Sequence, residues 1–251
     1  MTTSPLRGST PRHSASLPER GELADAIVSV LRTGRRGNAD LYIVDLGDGP
    51  LVVKDFAAKS WLVRLLGRVQ IVHECGAYQW LDGVEGLPRF IGRIDRYALA
   101  IERIDATQLT YASSRYSAGT RHLEGLRRVL DSFLTRGFAH LDLRGRRNVL
   151  IRPDGRIVVL DLAGALWFRP GGFWHRLLSP LISWNHKNTL FKWKVLLAPH
   201  ALSEDERASL QRFRRLQRLW VFNRKGSRDD KWPMDFPRLL KTPEAAPDPE
   251  I

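Results

Sequence analysis

Cysteine is nearly absent from this chain: one residue, Cys75, in 251. A single thiol excludes an internal disulfide and points to a reducing compartment. Long hydrophobic runs are missing as well, and no stretch reaches the roughly 18 consecutive apolar residues that a membrane-crossing helix needs. The N-terminal MTTSPLRGSTPRHSASLPERG carries positive charge without an apolar core, which argues against a secretory signal. Acidic side chains are in deficit, 27 Asp and Glu against 40 Lys and Arg, for a net charge of +13. Such a field favours acidic partners, whether nucleic acid, anionic lipid headgroups or phosphorylated substrates, and does not choose among them. Apolar residues, by contrast, make up 43% of the chain. That excludes general disorder and suffices for one large domain or two small lobes.

Residues 1–20 are rich in Ser, Thr, Pro and Arg and read as a disordered tail. NADLYIVDLGDGPLVVKDF follows, two β-rich runs around a compact turn signal, and predicts a hairpin. Trp61, Leu62, Leu65, Leu66, Val69 and Val72 then recur at helical spacing, a pattern that Ala77, Tyr78 and Leu81 extend. LPRFIGRIDRYALAIERI predicts two more strands, giving strand, strand, helix, strand, strand. The second half opens with a helix over about 117–136, whose apolar face is Leu123, Leu126, Val129, Leu130, Phe133 and Leu134. After HLDLRGRRNVL comes a hairpin, NVLIR and RIVVLDLA around Pro-Asp-Gly. Residues 166–225 are helical in tendency, and KTPEAAPDPEI is a tail.

Four chemical elements follow one another in this frame. Lys54 closes the β-run LVVKDF, where an ammonium can reach the phosphates of a nucleotide. Glu74 lies on the helix after that strand, where a carboxylate can hold the lysine extended. HLDLRGRRN supplies Asp142, suited to orient or deprotonate a hydroxyl, and Asn148, an oxygen ligand of the kind Mg²⁺ accepts. Arg144 in the same loop can neutralise charge on a transferred phosphoryl group. Asp161 ends the aliphatic strand VVLDLA, thirteen positions after Asn148, and matches the D-F-G position, whose Asp binds metal. Taken singly, each has a bland reading: a strand-edge lysine, a surface glutamate, a basic anion-touching loop.

Jointly, Lys54, Glu74, Asp142, Asn148 and Asp161 resemble the catalytic set of the protein-kinase-like superfamily. The small, atypical bacterial members come closest, the lipopolysaccharide core (Kdo and heptose) kinases, with the RIO kinases as cousins. The likeness covers roughly residues 30 to 200. It implies an α+β, protein-kinase-like two-lobed fold: a β-rich N-lobe with one helix over 21–104, a mainly helical, compact C-lobe over 105–235, and a C-terminal tail over 236–251. It also implies ATP and Mg²⁺ as cofactors. LAIERIDA resembles the hinge, whose backbone near Glu102 and Ile104 would meet an adenine edge, with Leu99 or Ile101 supporting the ring. Three features depart from the pattern. TGRRGNADL offers Gly34 and Gly37, with Arg35 and Arg36, in place of G-x-G-x-x-G; no A-P-E follows Asp161; and the gap from Asp142 to Asn148 is one residue longer than in H-R-D-x-x-x-x-N.

The resemblance therefore implies a kinase of the sugar, lipid or RIO kind. The expected acceptor is a hydroxyl of a lipopolysaccharide core sugar or another anionic glycolipid, with the protein cytoplasmic or peripheral on the cytoplasmic membrane face. A RIO-like serine/threonine kinase and a nucleotide- or membrane-binding pseudokinase scaffold are the alternatives. Beyond Asp161, Trp167, Phe168, Phe173, Trp174, Trp184, Phe191 and Trp193 interleave with Arg169, Arg176, Lys187, Lys192 and Lys194. ERASLQRFRRLQRLWVFNRK is an amphipathic helix candidate with Arg212, Arg214, Arg215 and Arg218 on its polar side. Three readings stay open: an ordinary helical lobe, an anionic membrane surface, and a nucleic-acid partner, for which no motif speaks.

Overall fold

A computed structural model describes residues 16–35, 37–109, 116–143 and 148–209. The fold is α+β and divides into two compact units, one of 1–79 with 88–104, the other of 80–87 with 105–251.

The first unit is built on a five-stranded antiparallel sheet. Its strands are β1 (Ile27–Arg32), β2 (Asp40–Val44), β3 (Leu51–Asp55), β4 (Phe90–Arg93) and β5 (Ala98–Glu102), in spatial order β1-β2-β3-β5-β4. The two expected hairpins are β2–β3 and β4–β5. Sequence reading missed β1, an edge strand whose Val28, Val30 and Leu31 are exposed and so leave no inward–outward alternation to detect. One helical turn, α1 (Leu23–Ala26), precedes it. The tail expected over 1–20 also ends earlier than that. Arg20 bridges Asp55 at 2.5 Å and Asp95 at 2.7 Å, tying the incoming chain to the sheet.

Because side chains alternate along a strand, the register of β3 against β5 sorts the core into two. Val53 lies opposite Ala100, and both pack with Leu23, Ala26 and Val44 on the α1 side. Lys54 lies opposite Leu99, which packs with Phe56, Ile71 and Cys75. Helix α2 (Trp61–Trp80) therefore covers the Lys54 face.

The side of α2 that meets the sheet is not its most apolar one. Gly67, Ile71, Glu74, Cys75, Ala77 and Tyr78 are buried; of the nine residues that signalled the helix, the first six, Trp61 to Val72, are exposed, whereas Ala77, Tyr78 and Leu81 are buried. The helical period was legible, but over the first three turns it marked the outer face.

In the second unit, α3 (Tyr116–Thr135) buries Leu126, Val129, Leu130 and Phe133, and packs on α4 (Phe173–Leu197). Two small antiparallel sheets complete it. Strand β6 (Thr107–Gln108) pairs with β8 (Val149–Ile151), and β8 with β9 (Ile157–Val159), the hairpin expected around Pro-Asp-Gly. Strand β7 (Phe138–His140) pairs with β10 (Ala165–Trp167), a ladder no local signal announced. Phe138 stacks on Trp167 at 6.0 Å and meets Phe133 edge-on at 5.2 Å.

The orientation of α2 gives a direct prediction. Ile71→Ala should cost about 2–5 kcal/mol by emptying a fully enclosed site. Leu65→Ala, on the outer face, should stay within about 0.5 kcal/mol of the parent. Urea midpoints at constant m-value measure both; equal losses would mean that the helix is turned the other way.

Candidate functional site

In the first unit the central feature is an enclosed ion pair. Lys54 Nζ donates to Glu74 Oε2 at 2.7 Å, with the two side chains only 11% and 3% exposed. The sheet register places Lys54 on the α2 face, and Glu74, three residues after Ile71 and next to Cys75, is the α2 carboxylate that reaches it. Burying two charges costs several kcal/mol per ion before their attraction offsets it, so such pairs are poor sources of net stability.

The loop joining β1 to β2 holds Gly34 and Gly37. Any side chain at Gly34 would run into the carbonyl oxygens of Asn38 and Ala39, and Gly37 has φ +93°, so the loop needs both glycines. Asp40 pins it: its Oδ1 accepts the Gly34 N–H at 2.8 Å and a Lys59 ammonium hydrogen at 2.6 Å, while Lys59 also donates to the Gly34 carbonyl at 3.0 Å. Burial pushes the Asp40 carboxyl upward, but the bonds from Lys59 and Gly34 outweigh it and hold the group below its ordinary range. Sequence reading missed Asp40 and Lys59. Arg36 lies outside the described residues.

Glu102 ends β5. Its N–H already donates to the Arg89 carbonyl at 2.9 Å, and its carboxylate accepts the Arg89 N–H at 3.1 Å. The Glu102 N–H is therefore not open to an adenine edge. Ile104 follows it, half-buried, at the end of this unit.

In the second unit the structure gathers Asp142, Asn148 and Asp161 around a small hydrogen-bond network. Asn148 Nδ2 donates to the Asp142 carbonyl at 2.9 Å and reaches Asp142 Oδ2 at 3.4 Å. Its Oδ1 makes no hydrogen bond among the described residues. Leu160 is the hub: its N–H donates to the Asn148 carbonyl at 2.9 Å, and its carbonyl lies 3.1 Å from His140 Nε2. His140 Nδ1 in turn accepts the Asp142 N–H at 3.2 Å, so Nε2 carries the ring proton. Burial keeps His140 below its ordinary pKa, against the opposing pull of the Leu160 carbonyl and the Asp161 and Asp142 carboxylates. The imidazole is thus a neutral brace that fixes Asp142 and the residue before Asp161.

Asp161 has φ 61° and ψ 74°, and is the one non-glycine residue with positive φ among those described. Left-handed backbone costs a side-chain-bearing residue about 1 kcal/mol or more, and such strain concentrates at functional sites. Leu162, just beyond, is fully buried and anchors the turn.

Helix α4 holds the loop from behind. Asn185 Nδ2 donates to the His140 carbonyl at 3.1 Å, and Trp193 Nε1 to the Leu143 carbonyl at 3.0 Å. With the buried Thr189, they form one face at four-residue spacing. Trp193, grouped in the sequence with membrane-facing aromatics, is instead an internal support, 1% exposed. Trp167 is likewise occupied against Phe138. Phe173, Trp174 and Trp184 are exposed, as a surface role requires. Arg144 lies outside the described residues, as do Arg212, Arg214, Arg215 and Arg218.

As to a metal, no three His, Cys, Asp or Glu side chains converge among the described residues. Asn148, whose Oδ1 is uncommitted among the described residues, and Asp161 are linked through the Leu160 N–H bond to the Asn148 carbonyl, and both carry oxygen donors. Oxygen donors of this kind are what Mg²⁺ accepts, since it completes its shell with phosphate oxygens and water. Comparison with known proteins found no family model that matches the chain and no curated protein similar to it.

The depressed Asp40 carboxyl sets a pH prediction. A group with a lowered folded pKa adds stability above its unfolded value, and that stability is lost as pH falls through the folded value. The Asp40 contribution should therefore be complete above about pH 4 and disappear below it. Unfolding free energy followed from pH 6 down to 2 should fall less steeply in Asp40→Asn than in the parent; parallel curves would remove Asp40 as a proton-linked clamp.

Proposed function

We propose that the protein is a Mg²⁺-ATP-dependent phosphotransferase acting on a hydroxyl, of the protein-kinase-like kind. The observation that carries this reading is the enclosed Lys54–Glu74 pair. It adds little net stability, yet it holds an ammonium extended on a strand, the arrangement that phosphate positioning requires.

Lys54, kept straight by Glu74, binds and orients the nucleotide phosphates. The glycine loop pinned by Asp40 and Lys59 offers backbone amides to the same phosphates. Asn148 and Asp161 hold the metal, which when bound neutralises phosphate charge. Asp142 orients the acceptor hydroxyl and takes its proton, with His140 fixing its backbone. In this reading the strain at Asp161 keeps its carboxylate in one place, so that ligand binding need not reorganise it.

For the acceptor, we infer a sugar hydroxyl of a lipopolysaccharide core or another anionic glycolipid, met at the cytoplasmic membrane face. What supports this is the outer stripe of α4. Phe173, Trp174, Leu177, Leu181 and Trp184 are all exposed, with Arg176 and Lys187 exposed beside them. Aromatic and aliphatic side chains bordered by cations suit an anionic interface. Among the described residues no helix is long and apolar enough to cross a membrane.

Thermal unfolding with and without Mg²⁺-ATP tests the nucleotide reading. A ligand at 100 times its Kd stabilises the folded state by about 2.7 kcal/mol, so Tm should rise, and the metal-dependent part should vanish in Asp161→Asn. Turnover in that variant should fall by roughly 100-fold or more. Asp142→Asn should lose turnover while keeping the ATP-induced rise. No shift at millimolar ATP would sink the proposal. Label from γ-phosphate-labelled ATP should enter a glycolipid extract; label entering protein alone would replace this acceptor with the RIO-like one.

A further inference from the structure

The outer face of α2 breaks the usual economy of a surface helix, which turns its apolar side inward. Trp61, Leu62, Leu65, Leu66, Val69 and Val72 form a continuous apolar strip over the first three turns, with Trp61 76% and Val69 67% exposed. The helix does not need this strip for its own packing, since Gly67, Ile71, Cys75 and Tyr78 supply the inward contact.

The edge of the strip is built from arginines. Arg64 and Arg68, one turn apart on α2, and Arg96 from the β4–β5 turn all gather on one aromatic ring. Their guanidinium carbons lie 4.8, 6.0 and 5.1 Å from the Tyr97 ring centre. Arg64 donates to the Tyr97 hydroxyl at 3.0 Å, and its Nε is buried without a hydrogen-bond partner among the described residues. None of the three has a carboxylate partner among the described residues. The nearest acid in sequence, Asp95, is taken by Arg20 and by the N–H groups of Tyr97 and Ala98. Three like charges on one ring repel each other unless an anion joins them, and guanidinium forks fit phosphate.

We propose that this face of α2, with the Arg64, Arg68 and Arg96 cluster at its edge, docks on an anionic phospholipid bilayer. The apolar strip enters the headgroup–acyl boundary, and the arginines meet lipid phosphates. An in-plane helix with one apolar side, a tryptophan and a cationic border is the form that interfacial binding takes. Charge decides against the other occupants. A second copy would bring two arginine clusters together, and the segment carrying Arg212, Arg214, Arg215 and Arg218 is itself basic. The proposal stands on the surface of the first unit alone and does not depend on phosphoryl transfer.

The test uses the full chain and vesicles, with no nucleotide. Val69→Cys, in a Cys75→Ala background whose Tm is checked first, carries an environment-sensitive nitrobenzoxadiazole label. Its emission should shift to the blue with phosphatidylglycerol-containing vesicles and stay in place with pure phosphatidylcholine. High salt should weaken binding, because the arginines act through a screened field. Leu65→Glu/Leu66→Glu should weaken vesicle affinity by roughly tenfold or more, and Arg68→Glu/Arg96→Glu should abolish the preference for anionic lipid; all four positions are exposed, so Tm should hold. Three results would overturn the proposal: no binding to anionic vesicles, binding while the label at position 69 stays in water, or binding indifferent to both double variants. A wild-type dimer made monomeric by Leu65→Glu/Leu66→Glu, with no vesicle binding, would assign the face to a second copy instead.

Discussion

The ion pair between Lys54 and Glu74 is the constraint around which the first unit is arranged. An ammonium enclosed on a sheet is tolerable only if a carboxylate reaches it, and removing either partner would leave a buried charge at a cost of about 3–5 kcal/mol. The register of β3 on β5 decides which sheet face receives the lysine. The packing of Ile71 and Cys75 on Leu99 decides the rotation of α2, and with it the direction of Glu74. Once that rotation is set, the opposite side of α2 has no choice but to face outward, apolar as it is. The helix that holds the pair and the helix that offers the apolar strip are one element.

In the second unit the corresponding part is played by backbone groups. Leu160 donates to Asn148 and receives His140, so the β8–β9 hairpin and the Asp142 loop share one residue's N–H and C=O. Neutral His140 can serve both neighbours only with its proton on Nε2, and burial keeps it neutral. Asn185 and Trp193 then take up carbonyls of the same loop from α4. His140, Asn185 and Trp193 each find a partner in this way, which rigidifies the cluster instead of penalising it. Against that rigid surround, the left-handed Asp161 is affordable.

Apolar faces were the least dependable guide to burial here. Both α2 and α4 leave a large apolar stripe outside, Trp61 to Val72 on one and Phe173 to Trp184 on the other, while polar residues, Glu74 on α2 and Asn185 and Thr189 on α4, lie among their buried ones. A hydrophobic period shows that a helix is present and which of its sides is apolar; it does not show which side has a partner.

Much of the chain's local structure was determined by sequence alone. The turn chemistry of GDGP and Pro-Asp-Gly and the β-rich runs beside them located the β2–β3 and β8–β9 hairpins, and helical spacing located α2 and α3 within a residue or so at most ends. The residues that meet as Lys54–Glu74 and Asn148–Asp142 stood out by type and order alone: a lysine ending a strand, a glutamate in the next helix, Asp and Asn in one loop. What only the tertiary structure decided was which groups meet. The β7–β10 ladder, the Asp40–Lys59 clamp, the His140–Leu160 hub, the inward Trp193 and the arginines around Tyr97 join residues with no shared local pattern. Local sequence sets backbone preference over a few residues, whereas partnership across tens of residues is settled by strand register and helix rotation, which follow from packing of the whole unit.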